Sequence, residues 1–146
     1  MKTLLYLILS MGLTAGLVLA EGTIVETKNE IGVPNKYTLA WTASTNGIVS
    51  EATTFYVRGE IKRVILDGTS TGATYSLTLK DTSGVDVLAG LGVGVSTSAV
   101  SCVVPGVSVT DSVTTNVIPF VVNDLLTLGV TVAGSNKTGS VILYVK

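Results

Sequence analysis

The chain has 146 residues, 13% of them charged, a net charge of −1 and no histidine. That length suits one domain. A near-neutral balance excludes an electrostatically driven nucleic-acid binder, which carries a basic excess. The missing histidine removes the commonest general base, metal ligand and pH switch together. The single cysteine, Cys102, can build neither an internal disulfide nor a thiolate cluster. Valine and threonine supply 23 and 21 residues. Both are β-branched and suit a pleated, half-buried surface. The composition is that of a β-rich structural or binding module, with no catalytic, cofactor-binding or metal-ligating set and no cofactor expected.

Residues 1–20, MKTLLYLILSMGLTAGLVLA, have the layout of a secretory signal peptide. Lys2 supplies the positive start, an apolar helix-forming run follows, and Val18 and Ala20 occupy the small-residue positions before a cut at Glu21. An uncleaved membrane anchor is the competing reading, and contact with a membrane is expected only through this segment. The apolar run is short for a spanning helix and no basic cluster follows it. An alternative start codon is a third. The remaining residues, 21–146, are expected to form a single domain with eight basic and ten acidic residues.

From residue 22 onward the chain reads as strands and turns. Period two is clear over 37–43, 74–80, 126–132 and 140–145. It places Tyr37, Leu39, Trp41, Leu77, Leu79, Leu128, Val130, Leu143 and Val145 in the core. Less regular strands are expected at 22–27, 53–66, 85–89, 99–104 and 117–122. In EIKRVIL, Ile61 and Ile65 fall on one face and Val64 and Leu66 on the other, the pattern of a strand buried on both sides at one end. Asn46-Gly47, Asp67-Gly68 and Ser83-Gly84 supply turn residues that tolerate positive φ. Residues 133–139 read as a long hairpin loop joining the last two alternating runs. Pro119 demotes its run to an edge or bulged strand. Residues 90–115 are the least patterned and read as an extended loop or arm. Eight or nine short strands at this spacing predict a two-sheet antiparallel β-sandwich, jelly-roll or immunoglobulin-like in connectivity.

Candidate sites are few. The run from Gly90 to Gly94 (GLGVG) superficially resembles a phosphate-binding loop, but no helical pattern follows it, so an inter-strand segment is the better reading. Asp81, Ser83 and Asp86 lie close together and could offer oxygens to calcium, or two carboxylates to a glycosidase. A tight hairpin in which Asp81 bonds its own turn explains them more simply. Cys102, among valines and without a basic neighbour, reads as a buried inert thiol. Arg58, Lys62 and Arg63, with Glu60 among them, read as a solvated strand face, or else as a salt-bridging contact to another subunit. Trp41 with Tyr37 could stack a sugar if exposed, although a core role is expected. Asn136-Lys137-Thr138 fits a glycosylation sequon, but a turn role suffices for Asn136.

Four segments carry a resemblance: EIGVPNKYTLAW at 30–41, GEIKRVIL at 59–66, YSLTLKDTSGVDVLAGLG at 75–92 and LTLGVTVAGSNKTGSVILYVK at 126–146. Together they resemble small β-sandwich virion proteins of tailed bacteriophages, over most of 30–146. The resemblance lies in strands and turns and carries over no functional residue. It implies a non-enzymatic particle component of head-decoration, head-fibre or tail-associated type, contacting other virion structural proteins and located in the virion. Such proteins usually lack an export signal, and residues 1–20 depart from that pattern. They support a secreted or cell-surface fibre-forming protein as the alternative. A carbohydrate-binding module built on Trp41 comes after that. Few edge charges protect the sheet, and 90–115 contains Val100, Val103, Val104, Val107 and Val109 with Asp111 as its one charge. A homo-oligomer is therefore expected, with 90–115 and the Pro119 strand in its contacts.

Overall fold

The β-branched composition is realised as nine antiparallel strands in a computed structural model, which describes residues 22–29, 34–68, 74–96, 99–110 and 115–146. They are β1 (Thr23–Asn29), β2 (Asn35–Thr42), β3 (Val49–Asp67), β4 (Ser76–Lys80), β5 (Ser101–Val103), β6 (Gly106–Thr110), β7 (Thr115–Pro119), β8 (Val121–Thr131) and β9 (Thr138–Val145). Among the described residues there is no helix. The signal-like segment 1–20 lies outside the described residues. One curled sheet runs β1-β2-β9-β3-β8-β4, with β5 paired to β3 beside this path. β6 and β7 form a separate two-stranded ribbon.

The curl is made by β3, the longest strand at 19 residues. Its first half pairs with β8, from Val49 opposite Val130 to Glu60 opposite Val121. Its second half pairs with β9 and β5. Gly59 marks the change, with φ of 132°. A side chain there would meet the Lys146 carbonyl oxygen at 2.5 Å, and Glu60 and Lys146 exchange backbone bonds of 2.7 and 3.0 Å at the same place. Only glycine fits both the conformation and the close approach. The register then slips between Ile61 and Arg63, leaving Lys62 as an extra residue. This bulge corrects the two-sided burial expected from EIKRVIL. It turns Ile61, Val64 and Leu66 all to the core, each fully buried, and leaves Ile65 half-buried on the other face.

The nine expected core residues are all buried. They come from both arms of the curl. Tyr37 of β2 stacks on Phe55 of β3 with ring centroids 4.9 Å apart, and Trp41 meets Tyr75 at 5.5 Å. Phe55, Val57, Val122, Leu126 and Val141 belong to the same cluster.

Three further expectations are corrected. Residues 85–89 form an isolated bridge, Asp86 to Lys80, followed by turns rather than a strand. Residues 133–139 do not close a hairpin, because β8 and β9 lie on opposite sides of β3. The loop instead packs on the turn between β2 and β3, held by Ala133 N–H to the Gly47 carbonyl at 2.9 Å and Asn136 N–H to the Ser44 carbonyl at 3.1 Å. Gly68 has no positive φ among those found at Gly47 and Gly84. Its requirement is space, since an added Cβ would sit 2.1 Å from the Tyr75 ring.

Candidate functional site

Asp81 and Asp86 have the right residue type for acid–base or cation chemistry, and the fold uses both as acceptors for main-chain amides. Asp81 Oδ1 accepts from Ser83 N–H and Val85 N–H, each at 2.9 Å. This is the self-bonded turn expected from KDTSG. Asp86 Oδ1 accepts from Leu79 N–H at 3.1 Å and Leu88 N–H at 3.2 Å, while Oδ2 accepts from Gly90 N–H at 3.0 Å. The two carboxylates therefore organise successive turns.

The glycine-containing run after Asp86 is equally committed. Turn bonds link Ala89 to Asp86, Leu91 to Leu88 and Val93 to Gly90. Val87 and Leu88 are buried beneath it. The Gly92 carbonyl accepts from Leu77 N–H at 2.8 Å, and an added Cβ on Gly92 would meet the Leu77 carbonyl oxygen at 2.1 Å. Tyr75 and Val95 exchange backbone bonds, Val87 N–H donates to the Leu79 carbonyl at 2.8 Å, and Asp81 N–H to that of Val85 at 3.0 Å. Residues 85–95 thus cover the outer edge of β4 from Tyr75 to Asp81. An open edge strand is a template for unwanted pairing, and here it is closed within the chain.

Asp124 adds a cross-tie that sequence patterning missed. It lies on the inward row of β8 beyond the end of β4 and accepts from the Thr82 hydroxyl, from Thr82 N–H at 3.2 Å and from Leu125 N–H at 2.8 Å. The Thr82 hydroxyl bond is the main reason its carboxyl is held below the ordinary value; desolvation opposes it, and the Leu125 and Thr82 amides add to the lowering. Only an acceptor type at the end of an alternating run, Asp124 after Val122, hinted at it.

The other candidates resolve one by one. Arg58, Lys62 and Arg63 are exposed, as a solvated face requires. Lys62 pairs with Glu60 at 2.6 Å, and Arg63 lies over the Tyr144 ring at 4.2 Å. Trp41 and Tyr37 are 1% and 3% exposed, the core role expected of them, so neither ring offers a face to a sugar. Cys102 corrects the buried-thiol expectation. It is exposed on β5, a three-residue edge strand whose neighbours Ser101 and Val103 are half-buried. Asn136 adopts φ of 53° in its loop, the turn role expected of it. A shallow groove of about 250 Å³ lies over Gly129 on the outer face, walled by Ser76, Thr78, Thr131 and by Glu51, which is ion-paired to Lys80. It brings hydroxyls and one ion-paired carboxylate together.

What remains open is backbone and apolar surface. β1 forms one end of the sheet order, with six of its seven residues exposed. Among the described residues, the strands of the β6–β7 ribbon touch those of the curl where β7 meets β3. Val104, Ile118 and Val121, around the base of this ribbon, are each more than half exposed, as is Val100 before β5. Tyr56 and Leu125, cross-strand partners on the outer face, are 51% and 40% exposed. No protein family, curated protein or solved structure matches this chain.

Proposed function

We propose that this chain is a non-enzymatic structural subunit of a phage particle, assembling with its own copies on or within the virion. In this reading the curled sheet is a small two-sheet β-sandwich, jelly-roll or immunoglobulin-like in type, with β3 as the strand shared by both sheets. The observation that carries the proposal is the β6–β7 ribbon. A two-stranded ribbon alone in water is marginally stable, and a third strand or a packed face gives it independent stability. Its strands, GVSVT and TNVIP, hold no charged residue to discourage association. The employment of Asp81, Asp86 and Asp124 as main-chain acceptors agrees with a structural role.

Light scattering on the purified full chain tests this reading. The expected result is an oligomer that becomes smaller when residues 106–119 are replaced by a short glycine–serine turn. A wild-type monomer at high micromolar concentration overturns it. Residues 1–20 support the second reading, a secreted surface or fibre-forming protein. Intact-mass measurement after bacterial expression bears on it, since export would leave Glu21 first.

A further inference from the structure

We propose that the open edge of β1 pairs with β1 of a second copy, continuing the sheet across a two-fold axis that passes midway between the two Thr27 residues. This rests on the self-assembly reading above and names one surface for it. Three strands of the curled sheet have a neighbour on one side only, and their outer edges differ in character. That of β4 is covered by residues 85–95. That of β5 is only three residues long. β1 offers seven residues in unbroken register, from Thr23 opposite Thr42 to Asn29 opposite Lys36, and no strand lies on its outer side among the described residues. It contains no proline and no bulge, two of the usual devices that blunt an edge.

Its two charges determine how it can pair. Glu26 and Lys28 lie opposite Leu39 and Tyr37 of β2, so they occupy the same face, and Lys28 sits over the Tyr37 ring at 5.3 Å. Residues opposite each other in an antiparallel pair point to the same face. A two-fold axis perpendicular to the sheet must therefore pass between a residue and its own symmetry mate, so that this residue opposes itself. An axis at Glu26 sets glutamate against glutamate, and one at Lys28 sets lysine against lysine. An axis at Val25 leaves both charges without an opposite. An axis at Thr27 sets each Glu26 against Lys28 of the partner subunit, twice by symmetry. Like charges directly opposite are destabilising and unlike charges favourable, so the strand is self-complementary in one register.

The test is charge reversal in the full chain, read by sedimentation velocity. Glu26→Lys and Lys28→Glu are each expected to weaken the self-association by about tenfold or more. The double variant Glu26→Lys/Lys28→Glu is expected to restore it. Disulfide trapping in a Cys102→Ser background checks the register without relying on affinity. Thr27→Cys brings two Cα atoms to about 4.5–5.5 Å, within disulfide reach, and should cross-link copies rapidly. Val25→Cys should not, because its symmetry mate lies four residues along the strand, about 13 Å away. Single reversals that assemble as tightly as wild type, or equal cross-linking at both positions, overturn the β1 interface and leave self-assembly through other surfaces standing. A monomeric wild type overturns both.

Discussion

Replacing Asp86 by alanine removes one carboxylate and leaves three main-chain donors without their acceptor: Leu79, Leu88 and Gly90. The cost depends on which of them water can reach. Gly90 is exposed, so its amide is readily hydrated, whereas Leu79 and Leu88 belong to fully buried residues. Leaving a buried donor unsatisfied costs about 1–3 kcal/mol, and bonds to a charged acceptor sit at the upper end of hydrogen-bond contributions. Two such donors with partial access to water give an expected loss of about 2–4 kcal/mol. In urea this lowers the unfolding midpoint by about 1–2 M. Asp81→Ala is the internal control. Its two amides, Ser83 and Val85, are exposed, and the expected loss is about 1 kcal/mol. Asp86→Asn keeps one carbonyl acceptor and should fall between the two. Equilibrium urea unfolding followed by tryptophan fluorescence reports the change, since Trp41 is the one tryptophan and lies in the core. A loss for Asp86→Ala no greater than for Asp81→Ala would refute the claim that Asp86 anchors the cover of the β4 edge.

Leu77→Ala and Leu128→Ala each empty a fully buried position, 1% and 0% exposed, and should cost about 2–5 kcal/mol by the same unfolding assay. Burial first, and the negative charge of Asp67 second, push the Tyr75 phenol up from 10.0 to about 12. Because the folded value is raised, the neutral phenol's stabilisation is complete below pH 10.0 and is lost as pH rises toward about 12. Ultraviolet titration should show a late phenolate transition that Tyr75→Phe removes, and an unchanged curve would refute the assignment. Exposed Cys102 should be labelled by a thiol reagent in the native protein without denaturant, with protection as the contrary result.

Strand identity was decided locally. Alternation along 37–43, 74–80, 126–132 and 140–145 needs only the two-residue period of a strand beside one dry face, so the buried set from Tyr37 to Val145 could be read directly. The Asp81 turn was equally legible, because its acceptor and donors lie within four residues. Strand partnership was not legible in this way. Alternation says which face is dry and nothing about which strand lies alongside, so β8 and β9 looked like a hairpin although β3 lies between them. The bulge at Lys62 defeats a strict period of two, and its cause is the corner at Gly59, where β3 changes partners. Asp86 reaches back seven residues to Leu79, and Asp124 reaches across 42 residues to Thr82, distances at which no local pattern signals a bond. Exposure of Cys102 and openness of β1 likewise depend on which strands lie at the edges of the sheet. The sequence determined which residues shun water and where the chain turns. Only the tertiary structure decided which backbone edges are covered and which stay open, because edge pairing is a property of neighbours distant along the chain.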